Sequence, residues 1–168
     1  MKRIYELTDF APTPAALAVQ ETLFHTANGY LGVRGTLEEG LPEGSDTMRG
    51  TYINGFYDIV PMKQAEPLCG LPEEKETMLN AADTQTLRIA LDGEEFSLFS
   101  GTVLHIARTL DMDAGVSVRR VLWRSPKGRE AELEFRRMAS FANRSLFTID
   151  CRVTPKNFSG PVEICSTQ

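Results

Sequence analysis

Between Val116 and Val153 apolar side chains recur at every second position, and no other feature of this sequence restricts its fold so strongly. "VSVRRVLWR" (Val116 to Arg124), "REAELEFRRM" (Arg129 to Met138) and "SLFTIDCRV" (Ser145 to Val153) all carry the pattern. Period two is the repeat at which successive side chains of a strand point to opposite faces, so each run can set one side on a core and the other in water. In the third run Phe147, Ile149, Cys151 and Val153 share one face, and Thr148, Asp150 and Arg152 take the other. The turn-forming segments "SPKG" (Ser125 to Gly128) and "FANR" (Phe141 to Arg144) separate the runs, which predicts an antiparallel meander wet on one side. Further back, Asp92-Gly93 lies between "TLRIAL" and "EEFSLF" and supplies the positive φ angles of a type I′ hairpin. The predicted class is all-β, an antiparallel β-sandwich with at most short helical turns.

Helical pattern is confined to "PAALAVQE" (Pro14 to Glu21), with Thr13 as a possible cap and Pro14 at the first helical position; one or two turns are expected. Residues 61–86 hold three prolines, an acidic stretch and weak periodicity, and are expected to form a long surface connection. The strand-like "VEICSTQ" (Val162 to Gln168) has no polar tail or turn behind it. A sheet ending there leaves an unpaired edge, so the 168 residues are expected to be part of a longer domain.

Composition narrows the partners. The chain is 42% hydrophobic and 24% charged, as a globular domain is. A formal net charge of −5 puts no positive field around it, which argues against nucleic acid or an anionic membrane as partner. No run approaches the ~18 apolar residues of a membrane span, and "MKRIYELTDF" lacks the apolar segment of a signal peptide. Cys69, Cys151 and Cys165 cannot all pair with one another, and none stands at metal-ligand spacing from His25 or His105. A cytoplasmic protein without metal or cofactor is expected.

The segment with the most specialised composition is "HTANGYLGVRGTLEEG", His25 to Gly40. Gly29, Gly32 and Gly35 recur at intervals of three, which is neither a dinucleotide fingerprint nor a P-loop. Their plainer reading is backbone geometry, such as bulges, bends or close approach. Arg34 is a candidate to pair with an acidic neighbour. Glu38-Glu39, Glu73-Glu74-Glu76, Glu94-Glu95 and Asp111-Met112-Asp113 offer the carboxylate pairs that glycoside hydrolysis uses. Most of them adjoin glycine or proline in expected turns, where solvated charge is the usual state. His25 and His105 have no nucleophile beside them. In "GTYINGFYD" (Gly50 to Asp58), Tyr52 and Phe56 fall on one strand face and Tyr57 on the other. Together with Tyr30 they can stack on a sugar or simply fill cross-strand positions, the commoner role of strand aromatics.

Four segments taken in order carry a resemblance: "ETLFHTANGYLGVRGTLEEG", "GTYINGFYD", "RTLDMDAGVSVRRVLWRSPKGREAELEFRRMASFANRSL" and "VTPKNFSGPVEICS". From about residue 20 onward the chain resembles the N-terminal domain of glycoside hydrolase family 65, which includes maltose, trehalose and kojibiose phosphorylases and acid trehalases. The residues that carry it are Asn28, Gly29, Gly32, Arg34 and Gly35, followed fifteen residues on by Gly50, then Asn54 and Gly55. The resemblance implies that residues 1–168 are all or part of a large N-terminal β-sandwich, with a catalytic (α/α)6 barrel elsewhere in a longer polypeptide. It also implies a homodimer acting on a disaccharide such as maltose, trehalose or kojibiose. In such enzymes a glutamic acid of the barrel protonates the glycosidic oxygen while inorganic phosphate or water attacks the anomeric carbon with inversion. No residue of this chain lines up with a catalytic residue of the family, so none is carried over. One departure is "HTA", His25 to Ala27, where a small or apolar residue and often glycine is expected before the motif. Tyr30, Tyr52, Phe56, Tyr57 and Trp123 leave a second reading open, a free-standing carbohydrate-binding or protein-interaction sandwich.

Overall fold

The computed structural model describes residues 2–166 apart from positions 43, 46, 48, 64, 67 and 68. Its largest unit is a five-stranded antiparallel sheet built from β1 (Ile4–Thr8), β8 (Thr102–Asp111), β9 (Val116–Arg124), β10 (Glu130–Ala139) and β11 (Phe147–Pro155), adjacent in that order. The period-two runs are β9, β10 and β11, shifted by no more than two residues from their expected bounds. A four-stranded sheet follows the order β2 (Thr26–Ala27), β3 (Leu31–Val33), β4 (Thr51–Pro61), β5 (Glu74–Asn80). A three-stranded sheet has β12 (Val162–Ser166), β6 (Leu87–Leu91) and β7 (Glu94–Glu95).

Three expectations need correction. The helix α1 (Pro14–Leu23) has ten residues, nearly three turns, with Thr13 accepting from the Ala16 amide and Pro14 in the first turn. Burial of Leu17, Gln20 and Glu21 carries it past Glu21, since packing more than propensity stabilises a short helix. The segment 61–86 is not a bare connection, because β5 lies inside it and pairs with β4. The N-terminal strand β1, paired with β8 from Ile4 opposite Asp111 to Thr8 opposite Ala107, has no counterpart in the sequence reading. The Asp92-Gly93 turn is as expected, with φ of 49° and 78°.

The inner face of β9 and β10 carries the core. Val121, Trp123, Ala131, Leu133 and Phe135 are fully buried against Ile89, Leu91 and Phe96, and Phe96 meets the Trp123 ring edge-on at 5.4 Å. Trp123 donates its indole N–H to the Ser100 carbonyl at 2.6 Å, so the one tryptophan is a core residue and cannot belong to a sugar platform. The outer face of the same strands carries charge ladders such as Arg120 with Glu134 and Arg124 with Glu130.

Candidate functional site

The alternation that buries Val121 and Trp123 also turns Ser117 and Arg119 inward on β9, and on β10 it turns Arg137 inward beside Phe135. Arg108 sits inward on β8, two residues from buried Ile106. Arg108 and Arg119 are direct cross-strand partners, and Arg137 stands opposite Ser117. Three guanidiniums therefore share one buried patch, each 3% exposed, an arrangement that like-charge repulsion forbids unless something neutralises it.

That something is the segment Arg34 to Glu39. It pairs with no strand, so its buried carbonyls have no ladder to join. Guanidiniums fill the need at four successive residues. Arg137 donates to the Arg34 carbonyl at 3.2 Å and the Thr36 carbonyl at 2.5 Å, Arg108 to Gly35 at 2.8 Å, and Arg49 to Leu37. Two carboxylates of the same segment supply counter-charge to Arg119 and Arg137. Glu38 accepts from Arg119 at 2.5 Å and from Arg137, and Glu39 accepts from Arg119 on both oxygens. Buried Gln85 joins them, taking hydrogen bonds from Thr36 and Arg137 and donating to the Gly50 carbonyl. Arg119 also lies 4.4 Å above the Phe135 ring, and Arg108 lies 4.4 Å above Phe24.

Glu38 and Glu39 do occupy a turn, but they are not the solvated pair the sequence suggested. Burial alone would raise the Glu38 carboxyl, yet the charges of Arg137, Arg119 and Arg108 outweigh it and hold the group at about 2. A carboxyl held so low is neither a proton donor nor a useful base at neutral pH. Arg108 has no carboxylate within bonding distance among the described residues, and burial, then the Arg119 and Arg137 charges, disfavour its charged form. Glu94 is likewise enclosed, accepting from Ser125, Arg129 and the Lys127 amide and so pinning the β9–β10 turn.

The family-motif residues divide by task. Asn28 accepts from the Tyr30 and Leu31 amides and donates to the Ser140 and Arg144 carbonyls, fastening the β2–β3 turn to the loop after β10. Gly29 has φ +86° in that turn, and Gly32 lies within β3. Gly35 passes so close to α1 that a Cβ would come 2.6 Å from the Phe24 carbonyl oxygen. Gly50 lies against the Tyr52 ring, and Gly55 has φ +87° where the β4–β5 register shifts. Arg34 meets buried Glu21 at 3.7 Å.

The aromatic residues form a second, exposed locality. The register shift makes Tyr52 the partner of Asn80 and Tyr57 the partner of Met78. Those partners are two residues apart in β5, so Tyr57 returns to the face of Tyr52, contrary to strict alternation. Tyr30, Tyr52 and Met78 wall a hollow of about 250 Å³ floored by Ala27 and Gly32. A second hollow, of about 440 Å³, lies between Tyr30, Ile53, Asn54 and Phe56. Tyr57 lines neither. His25 hydrogen-bonds the Thr22 carbonyl and His105 pairs with Asp9. The three thiols are free, and burial pushes Cys151 up to about 11. No helix among the described residues is long and apolar enough to cross a membrane.

Residues 7–167 match the family described as Glycosyl hydrolase family 65, N-terminal domain. An alpha,alpha-trehalose phosphorylase of Geobacillus stearothermophilus is 44% identical over 150 residues, covering 88% of this chain and 20% of that protein. A kojibiose phosphorylase of Halothermothrix orenii is 36% identical over 144 residues, 86% of this chain and 17% of that protein. The chain thus spans about a fifth of the length of the curated relatives it matches. Among solved structures, one described as a kojibiose phosphorylase from the human microbiome superimposes with a TM-score of 0.67 at 22% identity, covering 82% of this chain and 18% of that one. That likeness is one of fold.

Proposed function

Because this chain belongs to glycosyl hydrolase family 65, as that family's N-terminal domain, we propose that it is the non-catalytic scaffold end of a longer α-glucoside phosphorylase. The observation that carries this reading is the state of Glu38 and Glu39. The acidic pair of the family motif is consumed by Arg119 and Arg137, so it cannot supply the proton donor and base that glycoside cleavage requires. Chemistry on a disaccharide such as trehalose or kojibiose, with inorganic phosphate as co-substrate, then falls to a catalytic barrel outside these 168 residues.

An open cleft of about 550 Å³ between the sheets, where Leu31, Val33, Ile53, Leu87, Phe147 and Ile149 stand among Thr51, Thr84, Ser145 and Ser166, supports the same reading. We place further strands of the polypeptide there, alongside the edges of β11 and β12. The free thiols suit a cytoplasmic setting, and exposed Tyr57, Ile59 and Met78 on the β4–β5 ribbon offer contact area to a second copy in a homodimer.

Incubated alone with trehalose or kojibiose and inorganic phosphate, the chain is expected to release no sugar phosphate, while the full-length polypeptide carrying it releases one. Sugar phosphate formed by the 168 residues alone overturns the reading.

A further inference from the structure

We propose that the β4–β5 ribbon of one copy docks on the β10–β11 loop of a second copy, and the second copy's ribbon on the first copy's loop, with Glu76 meeting Arg144 in each contact. The inference rests on the homodimer reading above and adds to it the surface that receives the ribbon. Asn54 makes the last tie between β4 and the β2–β3 hairpin, donating its amide N–H to the Tyr30 carbonyl at 2.8 Å. Past the register shift, β4 pairs among the described residues with β5 alone, through five consecutive pairs from Tyr57 opposite Met78 to Pro61 opposite Glu74. A free two-stranded ribbon is at best marginally stable in water, so this one requires a cover. Residues directly opposite in an antiparallel pair share a face, which groups Tyr57, Ile59 and Pro61 with Met78, Glu76 and Glu74. Tyr57, Ile59 and Met78 are exposed on that face, Ile59 at 64%.

The receiving loop shares its root with the ribbon. Asn28 of the β2–β3 turn donates to the Ser140 carbonyl at 2.6 Å and the Arg144 carbonyl at 3.0 Å, and the Arg144 guanidinium lies 4.8 Å above the Tyr30 ring. The loop exposes Phe141, at 75%, and Leu146. Its chemistry is the counterpart of the ribbon's, apolar contact with a cation against apolar contact with two carboxylates. Among the described residues neither Arg144 nor Glu74 nor Glu76 has a salt-bridge partner, and no hydrogen bond or ring contact joins ribbon to loop. Two ribbons laid face to face would leave their carboxylates without cations, because that face carries no Lys or Arg. A two-fold axis beside the common root at Tyr30 instead lets each ribbon reach the other copy's loop, since a two-fold contact repeats every pairing in both directions. Tyr, Met, Phe and Arg are also the side chains enriched in the cores of such interfaces.

The test is the dimer dissociation constant of the full-length polypeptide, read by sedimentation equilibrium for the parent, Glu76→Arg and Arg144→Glu, both at exposed positions. Each variant alone sets like charges against each other in both contacts of its own dimer, and should raise the dissociation constant by about tenfold. Mixed in equal amounts, the two variants should dimerise as tightly as the parent, because in the mixed dimer both contacts again join opposite charges. That rescue also shows that both variants fold. Ile59→Ser, which removes apolar contact and leaves the charges, should weaken the dimer as well. Unchanged constants for the single variants, or weakening that the mixture does not relieve, overturn the proposal. So does a full-length polypeptide whose Tyr57 and Ile59 amides are protected from exchange at concentrations where it is monomeric, since a segment of the same chain then covers the ribbon. A parent that never dimerises removes the homodimer reading together with this contact, whereas a dimer indifferent to the variants removes this contact alone.

Discussion

Within two residues along β9, and again along β10, the inner face of the five-stranded sheet changes solvent. Val121, Trp123, Leu133 and Phe135 lie in an apolar core, whereas Arg119 and Arg137 are just as buried and lie among carboxylates and carbonyls. The strands, register and depth are the same. The apolar end is held by area removed from water, which many side chains of similar volume can supply. The ionic end is held by matched donors and acceptors, and each of its members depends on the others remaining in place.

Removing one member from each end gives the largest contrast. Glu38→Gln leaves Arg119 and Arg137 without a shared counter-charge and should cost about 3–5 kcal/mol in urea unfolding at neutral pH. Leu133→Ala should cost about 3 kcal/mol through its cavity. Their pH dependence separates them. Glu38 has a folded-state value of about 2 against an ordinary 4.5, so its contribution is fully present above pH 4.5 and is lost as pH falls toward 2. The urea midpoint of Leu133→Ala should therefore retain the acid limb of the parent, and that of Glu38→Gln should show a flatter one. Equal acid limbs in the two variants would erase the distinction between the ends.

A smaller effect tests whether the loop is held by fit as well as by charge. Gly35→Ala, with its new Cβ directed at the Phe24 carbonyl, should cost about 1–3 kcal/mol and move the unfolding midpoint equally at low and high salt. The smallest effect belongs to the outer face. Arg120 pairs with Glu134 there while half exposed, and Arg120→Ala should change stability by less than about 1 kcal/mol, with any loss vanishing at high salt.

The same contrast explains what the sequence made legible. β9, β10 and β11 were readable because each has an inside and an outside, and period two records the difference. β1 and β5 were not, since Ile4, Tyr5 and Met78 are exposed on them and a strand without a buried face writes no alternation. The ionic patch lay within reach of the pattern: Arg119 is in phase with Val121 and Trp123, and Arg137 with Leu133 and Phe135. What hid it was the assumption that glutamates beside glycine are solvated, because their partners stand 80 to 99 positions away. The aromatic face was half legible. Counting by twos set Tyr52 and Phe56 on one face and Tyr57 on the other, and the register shift at Gly55 returns Tyr57 to the Tyr52 face.

The arginine-braced loop also sets a timetable. Glu38 and the carbonyls around it leave the ribosome long before Arg119 and Arg137, their bonding partners 81 and 99 residues later, are synthesised. Until those strands emerge, the most family-specific stretch of the chain has no interior to occupy and must remain hydrated. Contacts of such long range form late and slowly. The segment that identifies the family is thus among the last to reach its place, and its arrival joins the first third of the chain to the last.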